Sequence, residues 1–111
     1  MEELQMNANP NYIPKNEDDK LIKDLEKAFQ LIADAYLQAN FPRSMMNTYA
    51  HAENIEEDFY EDEGWSAKIT YGVADESHKE EYYQEVFMTK PQFEDWRIKN
   101  SDTIFPEWTE I

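Results

Sequence analysis

Apolar residues recur at helical spacing between residues 17 and 39. They lie mostly three and four positions apart and form one stripe: Leu21, Leu25, Ala28, Phe29, Ile32, Tyr36 and Ala39. This spacing predicts an amphipathic α-helix that buries one face. Asn16 is a suitable N-cap, the acids after it favour the positive start of a helix, and Asn40 and Pro42 predict its end.

Two later segments alternate between apolar and polar residues, which is typical of β-strands. Residues 65–74 place Trp65, Ile69 and Val73 on one side and polar or small residues on the other. Residues 81–89 follow the polar residues 75–79 and predict a strand that returns antiparallel to the first. We therefore expect a β-hairpin with a longer loop.

The preceding segment, residues 44–63, fits two kinds of secondary structure. Met45, Tyr49 and Ala52 keep a helical spacing, whereas Met45, Asn47 and Tyr49 also alternate like a strand. Periodicity alone does not decide between them. We favour a strand from about Met46 to Glu53, because the acids that crowd toward Glu63 would lie at the negative end of a helix.

The last part of the chain carries a helix-start signal and an aromatic tail. Thr89 and Gln92 have the spacing of a capping box, with Pro91 inside the first turn, and they predict a short helix over residues 90–99. The tail, residues 101–111, contains Phe105 and Trp108. We expect it to fold back as a last strand, and docking on a partner is the alternative.

These elements predict an α+β fold with a long N-terminal helix packed on a small antiparallel sheet, followed by a short C-terminal helix. Residues 1–16, with Pro10 and Pro14, predict an irregular leader, and residues 17–111 predict one domain. The N-terminus has no basic region, and no apolar stretch is long enough to span a membrane. A cytoplasmic location is therefore expected.

Composition narrows the classes of function. The chain has 111 residues, 25 of them Asp or Glu and 10 Lys or Arg, which gives a formal net charge of -15. Such a charge disfavours direct binding to nucleic acid phosphates or anionic membranes. The chain has no Cys and two Gly, and neither histidine has metal-ligand spacing. We expect no enzyme: no catalytic residue, no metal site and no cofactor.

The most unusual feature is an acidic run with two aromatic residues and no cation: Glu53, Glu56, Glu57, Asp58, Phe59, Tyr60, Glu61, Asp62 and Glu63. Concentrated like charges repel one another, and a basic partner would relieve that repulsion. Aromatic residues are favoured as interface anchors, and acids around them steer association. These residues are the predicted partner-binding site. A solvated surface loop and a nucleic acid mimic are the other interpretations.

Short motifs in the first part of the chain resemble the YezG-type immunity proteins of Gram-positive polymorphic toxin systems. The motifs are Ile32-Ala33, Phe41-Pro42 and Tyr49-Ala50-His51-Ala52-Glu53, and the similarity covers roughly residues 21–87. In that family, an amphipathic helix runs into a proline and then a strand with an Ala-Glu pair. The resemblance implies a cytosolic protein that neutralises a nuclease toxin by binding it.

Charge and resemblance together lead to one expected function and two alternatives. We expect a non-enzymatic inhibitor of a basic, nucleic-acid-processing protein, either a toxin immunity protein or a phage anti-defence protein such as an anti-CRISPR inhibitor. One alternative is an accessory protein of an assembly that associates with itself. The other is a small-ligand-binding domain with a pocket between helix and sheet.

Overall fold

A computed structural model describes residues 17–41, 47–77, 79–99 and 104–111. Several sequence predictions fall on residues outside these ranges. They are the irregular leader (1–16) with its N-cap Asn16, the stop at Pro42 and the strand start at Met46.

The described residues form an α+β fold of two helices and a four-stranded sheet. In chain order the elements are α1 (Glu17–Asn40), β1 (Thr48–Phe59), β2 (Glu63–Ala74), β3 (Lys79–Thr89), α2 (Lys90–Ile98) and β4 (Thr109–Glu110). The strands are antiparallel and follow one another in the order β1-β2-β3-β4. The fold class is thus as predicted, and α2 is followed by a short last strand.

One face of the sheet packs against both helices and forms the core. Buried residues come from α1, from alternate positions of β2 and β3, and from α2: Leu25, Ala28, Phe29, Ile32, Ala33, Trp65, Ala67, Ile69, Tyr71, Val86, Met88, Phe93 and Trp96. Full burial of a large apolar side chain contributes about 1.5–3 kcal/mol. The apolar stripe of α1 and the apolar side of β2 therefore meet as their periodicities predict.

Local signals hold α2 in place against this core. Thr89 Oγ1 accepts a hydrogen bond from the Gln92 backbone N–H at 3.1 Å, and Gln92 Oε1 accepts one from the Thr89 backbone N–H at 3.0 Å. The predicted capping box is therefore confirmed. Arg97 Nε donates to Asp24 Oδ2 at 3.0 Å, which ties α2 to α1.

The C-terminal segment folds back onto the domain. Trp96 Nε1 donates to the backbone oxygen of Ile104 at 2.7 Å, and β4 pairs antiparallel with β3. The backbone N–H of Ile111 adds a bond to the oxygen of Glu85 at 3.0 Å. The segment forms a last strand, as favoured from its aromatic content.

The ambiguous segment is a strand, and it is longer than predicted. β1 runs through the acids to Phe59, whereas its predicted end was Glu53. Pairing with β2 holds the acidic residues extended, since Glu56 to Phe59 lie opposite residues 63–66. The register shifts between Glu53 and Glu56, where Asn54 has a φ of 58°. This β-bulge adds a residue to β1, and asparagine tolerates the left-handed backbone.

The length and the hydropathy of the two described helices were compared with those of a membrane-spanning helix. Within the described residues, no helix combines the length and the apolar character that a membrane span requires. α1 is long enough, but its stripe is apolar on one side alone, and charged residues such as Lys23 and Glu26 occupy the other.

Candidate functional site

All nine residues of the predicted partner-binding site lie on the hairpin that joins β1 to β2. We call residues 53–63 the acidic hairpin. It comprises the second half of β1, a turn over residues 60–62 and the first residue of β2. In the turn, the Tyr60 backbone N–H donates to the Asp62 oxygen at 3.2 Å. Every residue from Glu56 to Glu63 is exposed.

Strand geometry divides the acidic hairpin between the two faces of the sheet. Glu57 lies opposite Trp65, which is buried under the helices, so Glu57 shares the helix-covered face. Glu56 and Asp58 lie opposite Ser66 and Gly64 and point to the other face. We call that other face the open face, because no described helix covers it. The predicted site is therefore a two-sided ribbon of carboxylates.

Few basic side chains of the described residues lie near this ribbon. Lys90 Nζ lies 3.5 Å from Glu63 Oε2, and His51 Nε2 lies 3.7 Å from Glu53 Oε2. The Asp58 carboxylate accepts a bond from the Phe59 backbone N–H at 2.8 Å. Most of the seven acids of this hairpin therefore have no ion-pair partner among the described residues. Such a surface produces a field that attracts a cationic protein from a distance.

The two aromatic residues of the acidic hairpin have different surroundings. Phe59 is 64% exposed and lies on the helix-covered face beyond the core. Tyr60 is 49% exposed, and its ring meets Phe87 edge-on at 4.8 Å on the open face. Phe87 is buried beneath it. Both rings were predicted as anchors of a protein interface, but Tyr60 also packs against Phe87 within the domain.

The open face carries a tyrosine cluster that the sequence analysis did not single out. Tyr49 donates its phenol hydrogen to Glu81 Oε2 at 2.7 Å, and Tyr83 donates to the other oxygen of the same carboxylate. The hydrogen bond to Glu81 raises the pKa of Tyr49 to about 12. The bonds from Tyr83 and Tyr49 lower the pKa of Glu81. Alternation along each strand could have placed these residues on one face, but only the register brings them together.

Lys68 and Thr70 lie between the flanking strands of this cluster. Lys68 Nζ is 4.3 Å from the centroid of the Tyr83 ring, an arrangement in which the ring face attracts the cation. Thr70 lies opposite His51 on one side and Tyr83 on the other. It is 3% exposed, and its Oγ1 has no hydrogen-bond partner among the described residues.

A groove of about 850 Å³ separates the first half of α1 from β1. Leu21 and Leu25 line it from the helix, and Ile55 and Trp65 line it from the sheet. Glu26 and Glu57 also line it, so one carboxylate of the acidic hairpin borders an apolar depression. Glu53 contributes to the lining as well, but it lies opposite Lys68 on the open face, where its carboxylate is 3.7 Å from His51 Nε2. A pocket between helix and sheet was expected under the small-ligand alternative, and the groove lies in that place, although the residues that line it were not predicted.

The described side chains do not form a metal centre. Across residues 17–41, 47–77, 79–99 and 104–111, no three His, Asp or Glu side chains are grouped so that they could hold a metal ion. In the acidic hairpin, strand alternation sends neighbouring carboxylates to opposite faces. His51 lies exposed on β1, and His78 lies outside the described ranges.

The comparisons with known proteins indicate no function for this chain. Neither the protein-family models nor the curated proteins nor the solved structures with which the chain was compared gave a match. The charge, exposure and contacts of the acidic hairpin and its surroundings are therefore the observations that bear on function.

Proposed function

We propose that this protein is an acidic, non-enzymatic inhibitor that binds a basic, nucleic-acid-processing protein and blocks its working surface. The observation that carries the proposal is the acidic hairpin, in which exposed carboxylates follow one another from Glu56 to Glu63 with Lys90 as their nearest described lysine. Proteins that bind nucleic acid neutralise phosphates with Lys and Arg. The acidic hairpin is complementary to such a surface.

The energetics of the acidic hairpin support a partner of opposite charge. Like charges along a strand repel one another, and this repulsion lowers the stability of the isolated chain. Contact with Lys and Arg side chains would relieve it, and opposite fields would speed the encounter of the two proteins. Glu56 and Asp58 lie about 7 Å apart along one face, a regular spacing of negative charge that suits a surface built for phosphates.

Phe59 is the proposed aromatic anchor of the interface. Its exposed ring lies among acids, and a buried aromatic ring surrounded by polar contacts is the usual composition of an interface hot spot. Tyr60 would contribute the exposed half of its ring while it continues to cover Phe87. Glu53, at the other end of the acidic hairpin, would contribute charge.

The biological setting remains part of the proposal. The resemblance to YezG-type immunity proteins favours inhibition of a nuclease toxin, and the same surface would serve a phage anti-defence protein that acts on a CRISPR or restriction nuclease. In both cases we propose a cytoplasmic location, where such nucleases act. The genes beside the coding sequence would distinguish the two settings.

An affinity capture experiment tests the proposal. The full chain is used as bait in a lysate of its native host or of phage-infected cells, and bound protein is washed at about 50 mM and about 500 mM salt. We expect a stoichiometric basic protein that is weakened by the higher salt. A second bait, with Glu56, Glu57, Asp58 and Glu61 changed to Lys, should lose it. Retention of nothing from a lysate that contains the relevant nucleases would overturn the proposal, and so would equal capture by both baits.

A further inference from the structure

The groove between α1 and β1 is an apolar depression at the surface of the domain. Leu21, Leu25 and Trp65 border it as part of, or packed against, the core. Ile22 also lines it and is 53% exposed, although Ile is costly to leave in water. An exposed apolar depression of this kind is a candidate contact surface for another molecule.

The β-bulge in β1 turns Ile55 toward the groove. In a regular strand, Ala52 would face the helix and Ile55, three positions later, would face the open side. The register shift between Glu53 and Glu56 reverses this alternation, so both Ala52 and Ile55 pack toward the core and line the groove. Bulges often re-aim a side chain beside a functional site.

The groove is closed at one end and acidic along its border. The Gln30 side chain donates to the backbone oxygen of Ala50 at 2.8 Å and to Asp34 at 3.1 Å, which joins α1 to β1. Toward the acidic hairpin, the carboxylates of Glu26 and Glu57 border the groove, and no Lys, Arg or His of the described residues lines it. Its chemistry is therefore an apolar floor beside uncompensated carboxylates.

We propose that this groove binds a segment of the partner in which apolar side chains are flanked by lysine or arginine. The inference rests on the proposed function for the basic character of the partner. The apolar side chains would cover Ile22 and Ile55, and the flanking cations would pair with Glu26 and Glu57. A volume of about 850 Å³ accommodates more than one such side chain.

Charge and position favour a basic segment of the partner over the chain's own N-terminal segment or a second copy of the chain. Glu57 belongs both to the acidic hairpin and to the groove, so the two surfaces are continuous. Residues 1–16 contain two glutamates and one lysine, and the whole chain has 25 acids against 10 bases. Neither the chain's own N-terminal segment nor a second copy therefore offers the positive charge that the border requires.

Two synthetic peptides of equal length and charge test the inference, one alternating lysine with leucine and one alternating lysine with serine. Each is titrated into the isotopically labelled full chain while backbone amide shifts are recorded by NMR. We expect the leucine peptide to shift Ile22, Ala52 and Ile55 and to bind about tenfold more tightly, because its side chains bury apolar area. The serine peptide should shift residues of the acidic hairpin alone.

A matched pair of variants separates the groove from overall charge. Ile22→Lys places a cation in the groove, and Ile98→Lys makes the same change on α2, at a residue that is 80% exposed and does not line the groove. Both positions are exposed, so both variants should fold. We expect Ile22→Lys to weaken the leucine peptide by about tenfold and Ile98→Lys to weaken it by less than about twofold.

Equal affinities for the two peptides, with shifts confined to the acidic hairpin, would overturn the groove assignment and leave the proposed function standing. Absence of groove shifts because residues 1–16 or a second copy already fill it would overturn it as well. If the leucine peptide binds the groove but affinity capture yields no basic partner, the groove assignment survives and the proposed function fails.

Discussion

The indole N–H of Trp108 donates a hydrogen bond to the phenol oxygen of Tyr36, 3.1 Å away. Tyr36 in turn donates to the carboxylate of Glu110, and the rings of Tyr36 and Trp108 lie 5.7 Å apart. Tyr36 also stacks on Tyr71 at the same separation of 5.7 Å. The end of the chain is therefore joined to α1 by two hydrogen bonds and by ring packing.

Shortening Trp108 should destabilise the domain in two distinguishable steps. Trp108→Phe keeps a ring against Tyr36 but removes the N–H donor, and it should cost about 1 kcal/mol of unfolding free energy. Trp108→Ala also removes the half-buried ring and should cost about 2–3 kcal/mol, below the value for a fully buried tryptophan. Urea unfolding followed by circular dichroism measures both. Equal stability of Trp108→Ala and the wild type would show that the C-terminal segment does not hold the fold.

Stability should fall in alkaline solution because of Tyr36. Its partial burial, followed by its hydrogen bond to Glu110, raises the pKa of Tyr36 from 10.0 to about 12. Above the unfolded value the unfolded chain loses a proton that the folded chain keeps, so unfolding becomes more favourable. This contribution is complete below pH 10 and is lost as the pH rises through about 12.

Urea unfolding midpoints between those pH values measure this effect. Tyr36→Phe should decline less steeply with pH than the wild type, although it starts from a lower stability because Trp108 and Glu110 lose their partner. The comparison is one of slopes, since Tyr49 also has a pKa of about 12 and contributes to both. Parallel slopes for the two chains would exclude Tyr36 as a source of the alkaline loss.

Replacing Thr70 by valine should not destabilise the protein. The Thr70 hydroxyl is buried on the open face and has no hydrogen-bond partner among the described residues. A buried hydroxyl without a partner costs free energy, and valine has nearly the same shape and a high strand propensity. We expect Thr70→Val to be neutral or to stabilise by up to about 1 kcal/mol. A loss of more than that in thermal unfolding would mean that the hydroxyl is bonded in solution.

Charge reversal in the acidic hairpin should slow association with the basic partner. Changing Glu56, Glu57, Asp58 and Glu61 to Lys should lower the association rate by orders of magnitude at low salt and leave the fold intact, because these side chains are exposed. Stopped-flow measurements at several salt concentrations give the rate, and circular dichroism gives the fold. An unchanged rate in a folded variant would remove the acidic hairpin from the mechanism.

Two double variants separate local charge from net charge. Glu56→Lys with Asp58→Lys changes the acidic hairpin, whereas Glu76→Lys with Glu107→Lys makes the same change in net charge at exposed positions elsewhere. We expect the first pair to slow association more than the second. Similar rates for both would mean that only the overall field of the chain matters.

The helices and the central hairpin could be predicted because their signals are local. The stripe of α1 and the pairing of Thr89 with Gln92 depend on residues within a turn or two of one another. β1 gave no such signal, since its acidic half has low strand propensity and is extended because β2 pairs with it. A strand conformation that depends on pairing with another strand cannot be predicted from the segment's own residues.

The candidate site was foreseeable in charge but not in shape. The amino-acid sequence alone shows that the acids and aromatic rings of residues 53–63 are neighbours along the chain. That Tyr60 covers Phe87 depends on how β3 pairs with β2, and the groove depends on the bulge at Asn54. Both are consequences of register, which the alternation of a single strand does not specify.

The position of β1 in the sheet has a further consequence. Among the described residues β1 is an edge strand, with β2 as its only neighbour in the strand order. Unpaired edges invite identical chains to add strand upon strand, and proteins block this with charge and with bulges. β1 carries both, because its last residues are acidic and its register slips at Asn54. The carboxylates proposed to attract a cationic partner thus also disfavour amyloid-like growth between copies of this chain.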